Sequence, residues 1–352
     1  MSDSYYWTHW NSVKKIYLSV LIVIFLCIHS GLSRLINSGK EDQTLPSRKV
    51  VLISGGSHRF VFRSSNLLIA KNTDVFIFLH QNSSARSWVP SPMMSDIPYP
   101  VTPTTISKYF YSKGAQYVNV TMVDAEKERQ KLEKAVGSKW MGKLTVFLDE
   151  TQWKPHSVML LLRHYAYMAA LKYESSQNSF KYSHFLYQRE DNVYFTPQPI
   201  TIPFRPIVDK YRNISEKIPL IVVSKYCYFG ALSDKIFYAN RLGADHLFSG
   251  SFPTFVEFMR IWIEQDRDIF SNTTMQTEAL IKGYLARKNV KIMVDEFYRT
   301  ELRYIDGTLC IPKLYYECGP TNFTIRANLL NCDTIYQKLN ITTSKATSRL
   351  TL

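Results

Sequence analysis

The sequence predicts an α/β fold built on a mostly parallel sheet flanked by helices. Three observations carry that expectation. An apolar run, Lys49-Val-Val-Leu-Ile-Ser-Gly-Gly56, is followed by a helical pattern at 59–71 and a second apolar run, Asp74-Val-Phe-Ile-Phe-Leu-His80. A β–α–β unit is thus complete within about thirty residues, its usual size. Farther on, Val158, Leu161, Leu162, Tyr165, Met168 and Leu171 recur at helical spacing and lead into a third apolar run at Phe185-Leu-Tyr187. Finally, Ile218-Pro-Leu-Ile-Val-Val-Ser224 reads as another buried strand, with helical patterns after it. Strands alternating with helices in this way argue for a parallel sheet covered on its faces.

The elements follow in order. Residues 49–56 form the first strand, ending in a glycine pair, and 74–80 form the second. Residues 81–105, rich in Ser and Pro, read as an irregular loop, and 117–123 alternate as a third strand. Residues 125–139 read as a polar helix. Pro155 stands where a helix begins, because proline fits the first turn. The strand at Phe185 comes next, then a stretch broken by Pro197, Pro199, Pro203 and Pro206. Helices are expected at 234–242, 252–265 and 276–288, and a last short strand at 290–294.

The chain has 352 residues, with 45% hydrophobic and 20% charged. That suffices for one large or two small domains with a real core. Its formal charge is +14, but the basic residues are scattered. No Arg/Lys stripe, zinc-finger spacing or RNA-binding aromatic signature accompanies them, so nucleic acid is not an expected partner. The charge suits an anionic ligand or an anionic membrane surface.

Residues 16–32 (IYLSVLIVIFLCIHSGL) contain no Asp, Glu, Lys or Arg and follow Lys14-Lys15. They read as a short membrane-spanning signal-anchor, with the positive flank placing the N-terminus in the cytoplasm. A cleaved signal peptide ending near Ser30-Gly31 is the rival reading. Either way, residues from 33 onward are expected in the secretory lumen. Six Asn-x-Ser/Thr sequons, at Asn82, Asn119, Asn213, Asn272, Asn322 and Asn340, agree with that. Outside the apolar run, Cys227, Cys310, Cys318 and Cys332 form an even set, as an oxidising compartment favours, and three pairings are open. The expected organisation is a tail at 1–15, an anchor at 16–32, a stem at 33–47, an α/β domain at 48–309 and a Cys-containing segment at 310–352. Bulky Tyr315, Tyr316 and Phe323 suggest that this last segment packs on the domain.

Arg189-Glu190-Asp191-Asn192 stands where the chain leaves the Phe185 strand. Ligands sit at the carboxyl ends of strands in open α/β sheets. A carboxylate pair there can hold a hard divalent cation that bridges phosphate oxygens, with Asp191 and Glu190 as its ligands. A solvated loop with an Arg189–Glu190 ion pair is the plainer reading. Ser54, Gly55, Gly56 and Arg59 occupy the first strand-to-helix turn, where backbone N–H groups cradle phosphate and an arginine pairs with it. A tight glycine turn with a solvated arginine serves equally well. Ser233 or Asp234 reads as a helix cap, with Lys235 and Arg241 available to line an anionic pocket. Glu278, in the first turn of a helix, either complements the helix dipole or acts as general base. His156 and His164 read as packing or surface residues.

Taken together, these segments resemble the type II membrane glycosyltransferases of the GT-A class, over about residues 48–305. LISGGSHRF stands for the first strand and nucleotide-side turn, DVFIFLH for the second strand, and FLYQREDNVYF for the strand ending in the acidic motif. SDKIFYANRLGADHLF and TEALIKGYL are similar to acceptor-side helices. The resemblance implies a GT-A-like, Rossmann-type domain in the Golgi or ER. It implies a nucleotide-sugar donor, a glycan, protein or lipid acceptor, and Mn2+ or Mg2+ as cofactor. The donor would be held by Ser54, Gly55, Gly56, Arg59, Arg189, Glu190, Asp191, Asn192 and Lys235. Glu278 and Asp234 would be the catalytic candidates. The family's Asp-x-Asp spacing is filled here by Glu190 and Asn192, with Asp191 between them. A lumenal binding or scaffold protein on the same fold, without activity, is the alternative that this departure keeps open.

Overall fold

The computed structural model describes residues 47–57, 60, 73–81, 102–147, 150–190, 192–194, 217–224, 236–264, 277–295, 299–301, 303–305 and 308–311, with isolated positions near the C-terminus. Its centre is a seven-stranded sheet in the order β3-β2-β1-β4-β7-β6-β8. These strands are β1 (Ser47–Gly56), β2 (Asp74–His80), β3 (Tyr117–Val123), β4 (Lys181–Arg189), β6 (Leu220–Ser224), β7 (Ile236–Asn240) and β8 (Lys291–Asp295). β1 and β2 pair in parallel from Val50↔Asp74 to Gly56↔His80, and β2 and β3 from Asp74↔Tyr117 to His80↔Val123. β6 and β8 are also parallel.

The strands alternate strictly between two apolar layers, as the period of two requires. Val50, Leu52, Phe76, Phe78, Phe185, Tyr187, Ile221, Val223, Phe237 and Ala239 face one layer. Val51, Ile53, Val75, Ile77, Leu79, Leu186, Leu220, Val222, Ile236 and Tyr238 face the other. Each Val, Leu, Ile or Phe among them contributes about 1.5–3 kcal/mol on leaving water. The first layer is closed by α2 (Ala125–Val136), α3 (Ser138–Phe147), α4 (Glu150–Gln177), α5 (Arg241–Leu247), α6 (Phe252–Glu264) and α7 (Thr277–Arg287). The second is covered by α1 (Pro103–Ser112) through Ile106 and Phe110.

Caps explain where the helices begin. α1 opens with a capping box, Thr102 and Thr105 bonding each other's backbone N–H, and Pro103 at the first position. Asp124 caps α2 by accepting from the N–H groups of Glu126 and Lys127. Asn240 caps α5 and also ties down the start of β6. Its Oδ1 accepts from Gly243 N–H at 2.7 Å and Leu220 N–H at 3.0 Å, while its Nδ2 donates to the Ile218 carbonyl at 2.8 Å. A Cβ on Gly243 would stand 2.2 Å from the Leu220 carbonyl oxygen, so α5 approaches β6 this closely only with glycine there.

The structure corrects several expectations. The mostly parallel sheet carries one reversed strand, since β7 runs antiparallel to both β4 and β6. The helix expected at 234–242 is instead strand β7 over Ile236–Asn240, followed by α5. Ile-Phe-Tyr-Ala is buried on both faces, and a strand so placed shows no alternation. The helix cap is accordingly Asn240 rather than Ser233 or Asp234, which lie outside the described residues. α1 arises partly within the stretch expected to be irregular. α4 begins at Glu150, so Pro155 lies inside its early turns rather than at its start. The expected polar helix at 125–139 ends at Val136, where Gly137 takes a positive φ of 98° and a second helix starts.

Two small sheets bring distant segments together. β5 (Asn192–Tyr194) pairs antiparallel with β9 (Arg299–Glu301). β10 (Arg303–Ile305), β11 (Thr308–Ile311) and β12 (Leu330–Asn331) form the other, with Cys310 opposite Leu330. Cys227, Cys318 and Cys332, residues 16–32 and the stem up to residue 46 lie outside the described residues. Among the described residues no helix is long and apolar enough to cross a membrane.

Candidate functional site

From β1 the chain steps to β2 and then β3 on one side, whereas β4 lies on the other side of β1. The order therefore reverses between β1 and β4, and the crevice at such a switch point is where open α/β sheets bind ligands. Ser54, Gly55 and Gly56 close β1, and Arg189 and Glu190 close β4. The Glu190 N–H donates to the Ser54 carbonyl at 3.3 Å, so the two carboxyl ends meet. Five residues expected to bind one ligand thus come from positions more than a hundred apart in sequence to a single place.

Glu190 sits over the glycine pair that ends β1. Its Oε1 accepts the Gly56 N–H at 3.1 Å, and the residue is 1% exposed. Gly55 has φ +150°, and a Cβ there would lie 1.7 Å from Glu190 Oε2. Glycine is required twice over, by backbone conformation and by the carboxylate against it. Arg189 is buried beside it, as is Gln188.

On the opposite face of β1 and β4 lies a polar group that sequence reasoning missed. The Ser54 and Tyr187 hydroxyls are 3.1 Å apart, both buried. The guanidinium of Arg163, from α4, lies 4.6 Å from the centroid of the Tyr187 ring and 5.5 Å from that of Phe237. Arg163 is 2% exposed. Burial pushes the Tyr187 hydroxyl pKa up, while the Arg163 charge and the Ser54 bond oppose it. The signal was present in the sequence: Arg163 is a charge inside Val158-Met-Leu-Leu-Leu-Arg163, where a solvated helix face would not place one.

The remaining candidates are distributed differently. Asn192 opens β5, opposite Glu301 of β9. Glu278 is in the first turn of α7. Arg59, Asp191, Asp234 and Lys235 lie outside the described residues. Arg241 is not in an anionic pocket. Its Nη1 donates to Glu174 Oε2 at 2.8 Å and to the Tyr182 carbonyl at 3.3 Å, which fastens α5 to the end of α4 and the start of β4. His164 packs as expected, its Nδ1 2.9 Å from the Phe248 carbonyl oxygen and its ring stacked on Phe255. Burial holds its pKa below the ordinary histidine value.

Among the described residues, no three His, Cys, Asp or Glu side chains gather as a metal site. Glu190 alone does not fit one, since a hard cation needs several oxygens and one of its two is already bonded to Gly56. Asp191 is the remaining expected ligand.

A second buried charge cluster stands at the amino end of β2. Arg48 Nη2 meets Asp74 Oδ1 at 2.7 Å, and the Tyr182 hydroxyl donates to Oδ2. Burial raises the Asp74 pKa against the lowering effect of both bonds. The cluster lies at the amino ends of the strands, away from the switch-point crevice, and its ion pair and hydrogen bond tie β1, β2 and β4 together.

No protein-family model matches the chain, and no curated protein does. Solved structures show a weak likeness. A mouse xyloside xylosyltransferase 1 in its apo form is 10% identical, over 71% of this chain and 85% of that one, with a TM-score of 0.35. A nucleoside-diphosphate-sugar pyrophosphorylase from Vibrio cholerae RC9 is 9% identical, over 70% and 91%, with a TM-score of 0.32. The apo glycosyltransferase GlyE of Streptococcus pneumoniae TIGR4 is 9% identical, over 70% of this chain and 45% of that one, with a TM-score of 0.31. Likenesses of this strength carry no argument about the activity of this chain.

Proposed function

We propose that the protein is a glycosyltransferase of the secretory lumen, anchored by residues 16–32 in the Golgi or ER membrane. It moves a sugar from a nucleotide-sugar donor to a hydroxyl of a glycan, protein or lipid. One observation carries the reading: the Ser54-Gly55-Gly56 end of β1 and Arg189-Glu190 at the end of β4 meet at the topological switch point, immediately before Asp191. A sugar nucleotide is a large anionic ligand, and such crevices bind ligands of that kind through backbone N–H groups and strand-end side chains.

In this reading Glu190 shapes the turn, and Asp191, Asn192, Arg189, Arg59 and Lys235 line the donor pocket. The donor's diphosphate lies along the turn, and Arg59 pairs with it. A divalent cation, if bound at Asp191, would neutralise the leaving diphosphate. The acceptor oxygen forms a bond to the anomeric carbon, the bond from that carbon to the diphosphate oxygen breaks, and the electron pair leaves with the nucleoside diphosphate. With inversion, the acceptor proton passes to a carboxylate, Glu278 or Asp234.

A second reading, an inactive binding or scaffold protein, is favoured by two placements. Asn192 is drawn into a strand pair with Glu301, and Glu190 is buried against Gly55. The two readings part on turnover. The full chain, purified from a eukaryotic secretory host, would be incubated with UDP-, GDP- and CMP-sugars and acceptor glycans, and nucleotide release would be measured. Release with one donor, abolished in Asp191→Ala, supports the transferase. Donor binding without release supports the inactive protein.

A further inference from the structure

We propose that Asn119 is an N-glycosylation site and that its glycan stands on the outer edge of the central sheet. This rests on the lumenal placement in the proposed function. Asn119-Val-Thr121 meets the Asn-x-Thr requirement, and of the six sequons its asparagine alone falls among the described residues. β3 is the last strand on its side of the seven-stranded sheet. Val118, Val120 and Met122 turn toward the layer covered by α1. Asn119 and Thr121 alternate onto the other face, where Tyr117 and Val123 pack against the larger helical layer, and both stay half-buried on this outermost strand.

The local geometry fits the modification. The Thr121 hydroxyl donates to Asn119 Oδ1 at 3.1 Å, which leaves Nδ2 as the end of the carboxamide that Thr121 does not engage. On the same strand the Val118 N–H donates to the Tyr111 hydroxyl at 3.1 Å, so a side chain already covers part of the edge. Exposed strand edges invite pairing with other chains, and proteins cover them. The transfer takes place on the chain while 117–123 is still unpaired. The Asn119 Nδ2 forms a bond to the anomeric carbon of a lipid-linked oligosaccharide, the bond from that carbon to the lipid diphosphate breaks, and the Nδ2 proton leaves to a base of the transferring enzyme. The finished fold accommodates the glycan because, among the described residues, no strand lies beyond β3.

The test is expression of the full chain in animal cells, followed by proteolysis and release of N-glycans by an amidase in 18O water. The Asn119 peptide is expected to carry the 18O-labelled aspartate that marks an occupied site. Asn119→Gln and Thr121→Ala are each expected to lose one glycan step on a gel, and Thr121→Ser to keep it. Unmarked Asn119 with other sequons marked overturns the inference and leaves lumenal placement standing. No mark at any sequon overturns both. Nucleotide release from a donor sugar is measured on the same samples, so the transferase reading is judged separately.

Discussion

Glu190 occupies the space a side chain on Gly55 would need, with its Oε2 only 1.7 Å from where the Cβ would stand. The same carboxylate accepts the Gly56 N–H at 3.1 Å. One acidic residue at the end of β4 thus dictates glycine at the end of β1. The glycine pair is explained by a neighbour in space, before any ligand is invoked.

Gly55→Ala is therefore expected to destabilise the fold by about 1–3 kcal/mol, the usual range for overpacking. Removing the obstacle should recover part of the loss, so Gly55→Ala with Glu190→Ala should cost less than the two single changes together. A double-mutant cycle by urea unfolding would read the coupling, expected at about 0.5–3 kcal/mol. Strict additivity would mean that the carboxylate does not hold this position.

Arg163→Lys should not behave as a conservative change. A planar guanidinium stacks on a ring in a way an ammonium does not, and Arg163 lies 4.6 Å from the Tyr187 ring centroid. A loss of about 1–3 kcal/mol is expected, within the range for disturbed buried networks. Urea unfolding against Tyr187→Phe, which removes only the hydroxyl facing Ser54, would separate the ring contact from the hydroxyl pair.

Asn240→Ala should cost about 1–3 kcal/mol, chiefly for the buried Leu220 N–H that loses its acceptor. The bond to the Ile218 carbonyl, at an exposed residue, should matter less. Asn240→Asp keeps the acceptor for Leu220 and Gly243 but cannot donate to Ile218, so it should fall between. Equal stability of all three proteins by chemical denaturation would remove Asn240 as the tie between α5 and β6.

The pH dependence near neutrality should carry a contribution from His164. Burial depresses its folded pKa below the unfolded value near 6.5. The unfolded chain then binds more protons as pH falls through 6.5, so the fold loses stability on acidification until the folded pKa is passed. His164→Gln should show a shallower fall in melting temperature between pH 7 and pH 5 than the parent. An unchanged slope would show that His164 does not titrate on unfolding.

The long buried runs made β1, β2, β4 and β6 legible, since apolar stretches bounded by Gly, Pro and Asn have few other uses. β7 was not legible, because a short strand buried on both faces carries no alternation and stood beside polar residues that read as a helix start. α1 was hidden in a Ser/Thr/Pro-rich stretch, although Thr102-Pro103-x-Thr105 is its capping box. At the site, Ser54, Gly55, Gly56, Arg189 and Glu190 could be named because strand ends are readable. Their pairing, and the Arg163–Tyr187–Ser54 group behind them, depend on strand order and register, which a linear pattern does not contain.

The most direct test of the central claim is thermal melting of the full chain with UDP, GDP, CMP and their sugars, with and without manganese. A ligand at a hundred times its dissociation constant adds about 2.7 kcal/mol of stability. A rise in melting temperature is expected with one nucleotide class, lost in Asp191→Ala while that variant melts as a folded protein. No shift with any nucleotide, from protein that unfolds cooperatively, would contradict a sugar-nucleotide site at the β1–β4 crevice.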